Sequence, residues 1–212
     1  MAGGLRLLLV GATGAVGRAV LELALERRDI RRITAPTRRP LSRHAAKLNN
    51  PVLDLTALTG DEDFWACDAV ICTLGTTIRA AGSQAAFARI DRDLPILIGR
   101  FAKAGGATRY ALNSSLGASP TGNFYLRTKA EAEQGIIALG FAGTTIVRPS
   151  LIDAERGESR PAEHLGVLFA RALKPVIPKK YRAVTPRQIA AALLRGVLDG
   201  APGVHIVESD TL

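Results

Sequence analysis

Cysteine is nearly missing from this 212-residue chain: Cys67 and Cys72 are the only two, and no second pair exists to complete a tetrahedral metal site. Both read as reduced packing residues at the start and within a strand. Histidine is as scarce, and His44, His164 and His205 stand too far apart for ligand spacing, so no metal is expected. No uncharged apolar stretch approaches the ~20 residues that a helix needs to cross a bilayer. Arg6 is followed by only four strongly apolar residues before a glycine turn, too short a run for the core of a signal peptide, and a cytoplasmic location is the expectation. Acids are in deficit: 19 Asp and Glu stand against 28 Lys and Arg, a formal charge of +9. Much of the excess lies in Arg27, Arg28, Arg31, Arg32, Arg38, Arg39, Arg43 and Lys47, opposed within that segment by Asp29 alone. With aromatics at 5% and no basic amphipathic helix, nucleic acid is not an expected partner, and the cluster reads as solvated surface with one exception given below.

What is present describes an ordinary globular protein, with 47% hydrophobic and 22% charged residues. The length suits one domain, 1–212, with residues 150–185 as a substrate-side loop and helix region and little left for a separate substrate domain. Function must then sit on the loops of the main fold. A homodimer is compatible with the chain, and a small molecule is the expected occupant of its cleft.

Leu7 to Val10 run directly into Gly11-Ala12-Thr13-Gly14-Ala15-Val16-Gly17. An apolar run closed by glycine predicts a buried parallel strand, and residues 15–25 predict a helix packed back on it. Gly11 permits the tight turn, Gly14 lets a pyrophosphate approach the backbone, and Gly17 lets helix and strand pack closely. The free amides of Thr13 to Val16, where the helix starts, face the anion. A glycine-rich turn in another doubly wound protein, such as a methyltransferase or flavoprotein, is the plainer reading of this motif by itself.

The pattern continues as strands near 5–10, 32–37, 52–54, 68–74, 109–113 and 144–148, alternating with helical segments. That alternation predicts an α/β fold, a single-domain doubly wound parallel sheet with helices on both faces. Residues 84–105 should be mostly helical, with Pro95 kinking the helix or marking its effective start. A helix over 124–139 should end at Gly140 in a left-handed cap. Beyond a charged loop, a helix is expected at 161–173, and Thr185-Pro186-Arg187-Gln188 fits a capping box opening a helix to Asp199. A last strand at 204–207 should join the sheet edge.

In such a sheet ligands bind beyond the carboxyl ends of the strands. After the second strand come Arg38 and Arg39, where an NAD-binding protein commonly has an acid for the ribose hydroxyls; a basic residue there suits a 2′-phosphate, Arg38 first and Arg39 second. NADP(H) is therefore favoured over NAD(H). Asp54 and Leu55 end the third strand where adenine would lie, and Leu74, Gly75 and Thr76 end the fourth, where glycine admits ribose and phosphate. Either stretch also suits a plain strand-terminal turn.

Ser114 and Ser115 end the fifth strand, and Tyr125 and Lys129 follow at i and i+4 on one helix face. A lysine charge beside a phenol favours phenolate, which makes the tyrosine a usable proton donor or acceptor for a carbonyl and alcohol pair, while a serine hydroxyl holds the substrate oxygen. The cofactor would supply the hydride.

At these residues the chain resembles the short-chain dehydrogenase/reductase superfamily, and more narrowly the atypical members related to the Tat-interacting protein oxidoreductase, with their small bacterial relatives. The resemblance rests on the glycine motif, Cys72-Thr73-Leu74-Gly75-Thr76-Thr77, Phe87 to Asp93, Ser114 to Ala118, Asn123 to Lys129, Val147-Arg148-Pro149 and Arg156 to Glu163. It implies an NADP-type Rossmann fold, with Ser115 or Ser114, Tyr125 and Lys129 as the catalytic group and Pro149 beside the nicotinamide. The interval between serine and tyrosine is shorter than in most of the superfamily, and Pro95 interrupts a helix that relatives continue. Arg156 or Arg160 can hold an anionic substrate or belong to an arginine and glutamate network that fixes the loop, and Asp91 can serve only to tie its helix to a neighbour. Three functions follow: an oxidoreductase on a small carbonyl or alcohol, a cofactor-binding sensor, and a sugar-nucleotide epimerase.

Overall fold

Leu7, Leu8, Leu9 and Val10 are all fully buried because successive strand residues point to opposite faces and both faces are covered. Leu7 and Leu9 join one hydrophobic cluster, Leu8 and Val10 the other. The structure, a computed structural model, describes residues 4–153 and 178–212. Seven parallel strands form one sheet in the order β3-β2-β1-β4-β5-β6-β7. They are β1 (Leu5–Val10), β2 (Ile30–Thr34), β3 (Leu48–Asn49), β4 (Ala69–Cys72), β5 (Arg109–Asn113), β6 (Gly143–Arg148) and β7 (Gly203–Glu208). The chain order reverses between β1 and β4, and there the strand ends open a crevice.

One face carries α1 (Ala15–Glu26) and α6 (Pro186–Asp199); Val16, Val20 and Leu21 of the first pack with Ile189, Leu193 and Val197 of the second over Leu7, Leu9 and Ile71. The other face carries α4 (Leu94–Ala104) and α5 (Phe124–Ala138), whose Ile98, Ala102, Ala132 and Ile136 cover Leu8, Val70, Tyr110 and Leu112. Short helices α2 (Ile78–Ala81) and α3 (Gln84–Ala88) lie between β4 and α4.

The ends of the helices follow the sequence. Asn123 caps α5, its side chain accepting from the Leu126 amide, and Gly140 beyond the last turn has φ +67°. Thr185 and Gln188 complete a capping box on α6 with Pro186 in its first turn. The expected helix over 84–105 is divided: α3 ends in a π-turn, Arg89–Asp93, where the Leu94 amide reaches back to the Arg89 carbonyl, before α4. Pro95 accounts for this, because it lacks an amide and its ring crowds the carbonyl four residues earlier, which is that of Asp91.

The second and third strands depart furthest from expectation. The second strand is Ile30–Thr34 rather than 32–37, and the third pairs through Leu48–Asn49 rather than 52–54, leaving an isolated bridge between Thr37 and Val52. Pro51 causes the break: it has no amide to donate to the Ala35 carbonyl, which takes the Asn50 side-chain amide at 2.6 Å in its place, and that amide also donates to the Thr37 hydroxyl at 2.8 Å. The expected loop from 153 and helix at 161–173 fall mainly on residues outside those described.

β1 and β4 are also joined by charge. Asp68 takes the Arg6 amide at 2.7 Å and the Arg6 guanidinium at 2.6 and 3.1 Å. The Arg6 hydrogen bonds hold the Asp68 carboxyl below its ordinary range despite partial burial. A depressed folded value stabilises the fold above the unfolded pKa and loses that effect as pH falls through the folded one. Asp68→Asn should therefore cost about 1 kcal/mol at neutral pH, with both side chains over a third exposed, and the difference from wild type in Tm should vanish below the carboxylate range. A pH-independent difference in melting would contradict this.

Candidate active site

The turn after β1 is built by backbone contact. Gly11 has φ +90°, and a Cβ there would stand 2.6 Å from Thr73 Oγ1. A Cβ on Gly17 would overlap the Gly11 carbonyl oxygen, so α1 rests directly on the turn. Gly14 is different: a Cβ there would meet the Gly11 carbonyl at 3.4 Å and nothing else within 4 Å. The space beside it is therefore free of protein. Gly14 is also the N-cap of α1, with no capping side chain and no acid in the first turn, so the amides of Ala15, Val16 and Gly17 start the helix uncapped. Thr13 and Gly14 are exposed, whereas Val16 and Gly17 are buried. A cradle with uncapped donors and room for backbone approach suits a pyrophosphate.

At the end of β2, the Thr37 hydroxyl donates to the Arg39 carbonyl at 2.7 Å and fixes the turn that presents Arg38 and Arg39 to solvent. Among the described residues neither arginine has an ion pair. Asp54 is engaged by Thr56, whose amide and hydroxyl donate to Oδ1 at 2.9 and 2.8 Å; these bonds hold its carboxyl low, with a smaller contribution from the charge of Arg38. Leu55 is buried behind it.

Beyond β4, Leu74, Gly75 and Thr76 turn across the sheet edge. The Thr76 amide donates to Asp91 Oδ2 at 3.0 Å, and Asp91 Oδ1 lies 2.7 Å from Lys129 Nζ. The Asp91 side chain is 0% exposed and that of Lys129 8%. Burial pushes the Asp91 carboxyl up, and Lys129 opposes that shift. Lys129 Nζ stands 5.9 Å from the centre of the Tyr125 ring, which packs at 5.5 Å against Phe87. Tyr125 is partly exposed, and its hydroxyl has no hydrogen-bond partner among the described residues.

The two serines separate. Ser114 is buried and its hydroxyl donates to Glu133 Oε1. Ser115 is half-buried, with only a 3.5 Å contact from its hydroxyl to the Leu116 carbonyl. Pro149 is buried after β6, its carbonyl accepting from the Leu116 amide at 2.8 Å. The fold thus brings Gly75, Asp91, Tyr125 and Lys129 together, sets the loop of Ser115 and Pro149 at the neighbouring strand ends, and leaves Arg38, Arg39, Asp54 and Leu55 on the far side of the glycine turn. Arg156, Arg160 and His164 lie outside the described residues.

Sequence reasoning gave no role to Glu133 or Arg148. Arg148 grips both oxygens of Glu133, at 3.0 and 2.5 Å, and reaches Glu208 at 3.1 Å. Glu133 continues the stripe of Tyr125 and Lys129 by one more helical turn, which was a readable signal. Cys67 and Cys72 are free and buried; burial pushes the Cys67 thiol up to about 12 and raises that of Cys72, so neither is a ready nucleophile. No group of acidic, histidine and cysteine side chains suited to a metal occurs among the described residues.

A family described as NAD(P)H-binding matches residues 11–194. The chain belongs to that family. Protein HTATIP2 of Rattus norvegicus is 32% identical over 211 residues, 96% of this chain and 86% of that protein. Protein fmp52, mitochondrial, of Emericella nidulans is 38% identical over 179 residues, 79% of this chain and 76% of that one. The chain is therefore an NAD(P)-binding relative of the atypical short-chain dehydrogenases/reductases. Among solved structures, a short chain dehydrogenase family protein of Francisella tularensis matches with a TM-score of 0.65 at 16% identity, covering 98% of each chain. MoeE5 in complex with UDP-glucose and NAD matches with a TM-score of 0.72 at 17% identity, over 95% of this chain and 74% of that one. Both share the Rossmann-like fold. No described helix of this NAD(P)H-binding chain is long and apolar enough to cross a membrane.

The open space at Gly14 yields a direct expectation. Gly14→Val should leave the thermal midpoint within a few degrees of wild type while abolishing NADPH binding, because the branched side chain fills the volume left for pyrophosphate. Isothermal titration and circular dichroism on the same preparation decide it; undiminished binding would show that the cradle is not the anion site.

Proposed function

We propose that this chain is an NADP(H)-dependent oxidoreductase that interconverts a small carbonyl and its alcohol. The observation that carries the reading is the Tyr125 and Lys129 pair, a partly exposed phenol without a hydrogen-bond partner among the described residues, beside a buried, oriented ammonium at the strand ends. The glycine turn fits a dinucleotide because its one unfilled side faces uncapped amides. When bound there, the dinucleotide supplies or accepts the hydride. The Tyr125 hydroxyl gives its proton to the substrate oxygen in reduction and takes one back in oxidation. Lys129 favours the phenolate left behind, and Ser115 holds the substrate oxygen, since the hydroxyl of Ser114 is occupied by Glu133.

Arg38 supports the preference for the 2′-phosphate: it is exposed, free of an ion pair among the described residues, and near Asp54. Asp54 and Leu55 would border the adenine, and Pro149 the nicotinamide. The cytoplasm remains our proposed location, beside fungal relatives whose names place them in mitochondria.

Two measurements test this reading. Wild type should bind NADPH more tightly than NADH, and Arg38→Ala should lose roughly ten- to a hundredfold in NADPH affinity with little change for NADH, the worth of a charged hydrogen bond. Equal affinities in wild type would remove the phosphate site. Tyr125→Phe should bind NADPH as wild type does and reduce carbonyl turnover by roughly a hundredfold or more, assayed as NADPH consumption against aldehydes, ketones and quinones. Undiminished turnover in Tyr125→Phe would remove the tyrosine from the chemistry; no turnover in wild type across the panel would favour a cofactor-binding sensor.

A further inference from the structure

Asp91 is the most deeply buried charge near the cleft, and its two oxygens have separate partners. Oδ2 accepts from the Thr76 amide at 3.0 Å, and Oδ1 faces Lys129 Nζ at 2.7 Å. The carboxylate therefore joins the loop after β4 to the stripe of α5 that carries Tyr125. Its aim comes from the π-turn at Arg89–Asp93, which Pro95 enforces. Gly75 lies over this junction: a Cβ there would stand 3.6 Å from Asp91 Oδ1 and 3.9 Å from Lys129 Nζ, so any side chain at this position would rest on the pair.

A buried ion pair is seldom the most stable filling for its volume, since apolar groups of similar shape cost less to desolvate. Here the pair also lies directly beneath the exposed Gly75 at the strand ends. We infer that Asp91 is a positioning residue: it holds Lys129 and the loop of Gly75 and Thr76 in their binding arrangement before the dinucleotide arrives. The inference rests on the functional reading above and extends it to a residue that touches neither substrate nor cofactor. Preorganisation of this kind strengthens binding because the lysine and loop need not be ordered when the ligand enters.

The test compares Asp91→Leu, which keeps the branched shape without an acceptor, with Asp91→Asn, which keeps the size but has one acceptor oxygen, enough for Lys129 or the Thr76 amide and not for both. NADPH affinity is measured by nicotinamide fluorescence well below the melting temperature of each variant, with circular dichroism to verify folding. Asp91→Leu should weaken binding by roughly tenfold or more, as expected for groups left misplaced, and Asp91→Asn, which keeps one of the two contacts, by roughly threefold to tenfold. A purely structural role would lower melting temperature in both and leave both affinities at the wild-type value. If Asp91→Leu does not fold, Asp91→Asn alone still decides, because a folded Asn variant that binds as wild type does overturns the inference. So does a folded Leu variant that binds as wild type does. A wild type that binds no NADPH overturns the functional reading, and this inference with it.

Discussion

The backbone of Gly17 rests on the carbonyl of Gly11, and the rest of the site is registered from that contact. Thr73 Oγ1 completes it from β4: it donates to the Val10 carbonyl at 3.0 Å and fills the space that a Cβ on either glycine would need. The loop from Thr73 is thereby fixed against the glycine turn. Two residues further Gly75 opens the cleft, Thr76 engages Asp91, and Asp91 engages Lys129 beside Tyr125. A continuous set of contacts links the anion cradle to the proposed proton donor. Packing of this density transmits displacement, so a bulkier residue at Gly17 would disturb both ends of the cleft.

Two buried charge groups occupy successive turns of α5. Lys129 is matched by Asp91, and Glu133 by Arg148 with Ser114. The second group secures the strand ends rather than facing the cleft: Arg148 extends it to Glu208 at the end of β7, and Ser209 next along the chain accepts from the Ser150 amide at 3.1 Å. Removing one partner from either group would strand a buried charge, which costs far more than a surface pair returns. The exposed arginines of residues 38 and 39 are under no such constraint and remain available to an anion.

Much of this was readable beforehand because it is local. The apolar run 7–10, the glycine spacing, and the caps at Gly140 and Thr185 state strand, turn and helix ends within a few residues, and β5 has the expected bounds. The bounds of the third strand turn on Pro51, whose missing amide leaves the Ala35 carbonyl to the Asn50 side chain, a bond across the chain that β propensity does not encode. Pro95 signalled a disturbance in its helix, but not that the remedy would be a widened turn aiming Asp91 inward. The division of labour between Ser114 and Ser115 depends on Glu133, which joins them only through the tertiary fold. Local chemistry was legible; pairings across the chain were not.

One cleft should hold a dinucleotide between the glycine turn and the Tyr125 and Lys129 pair. A crystal structure of the complex with NADP+ tests it most directly. The pyrophosphate should lie on the amides of Ala15 to Gly17, the 2′-phosphate on Arg38, and the nicotinamide opposite Tyr125 with its ribose at Lys129. A dinucleotide whose nicotinamide lies away from Tyr125, or whose 2′-phosphate leaves Arg38 untouched, would contradict it.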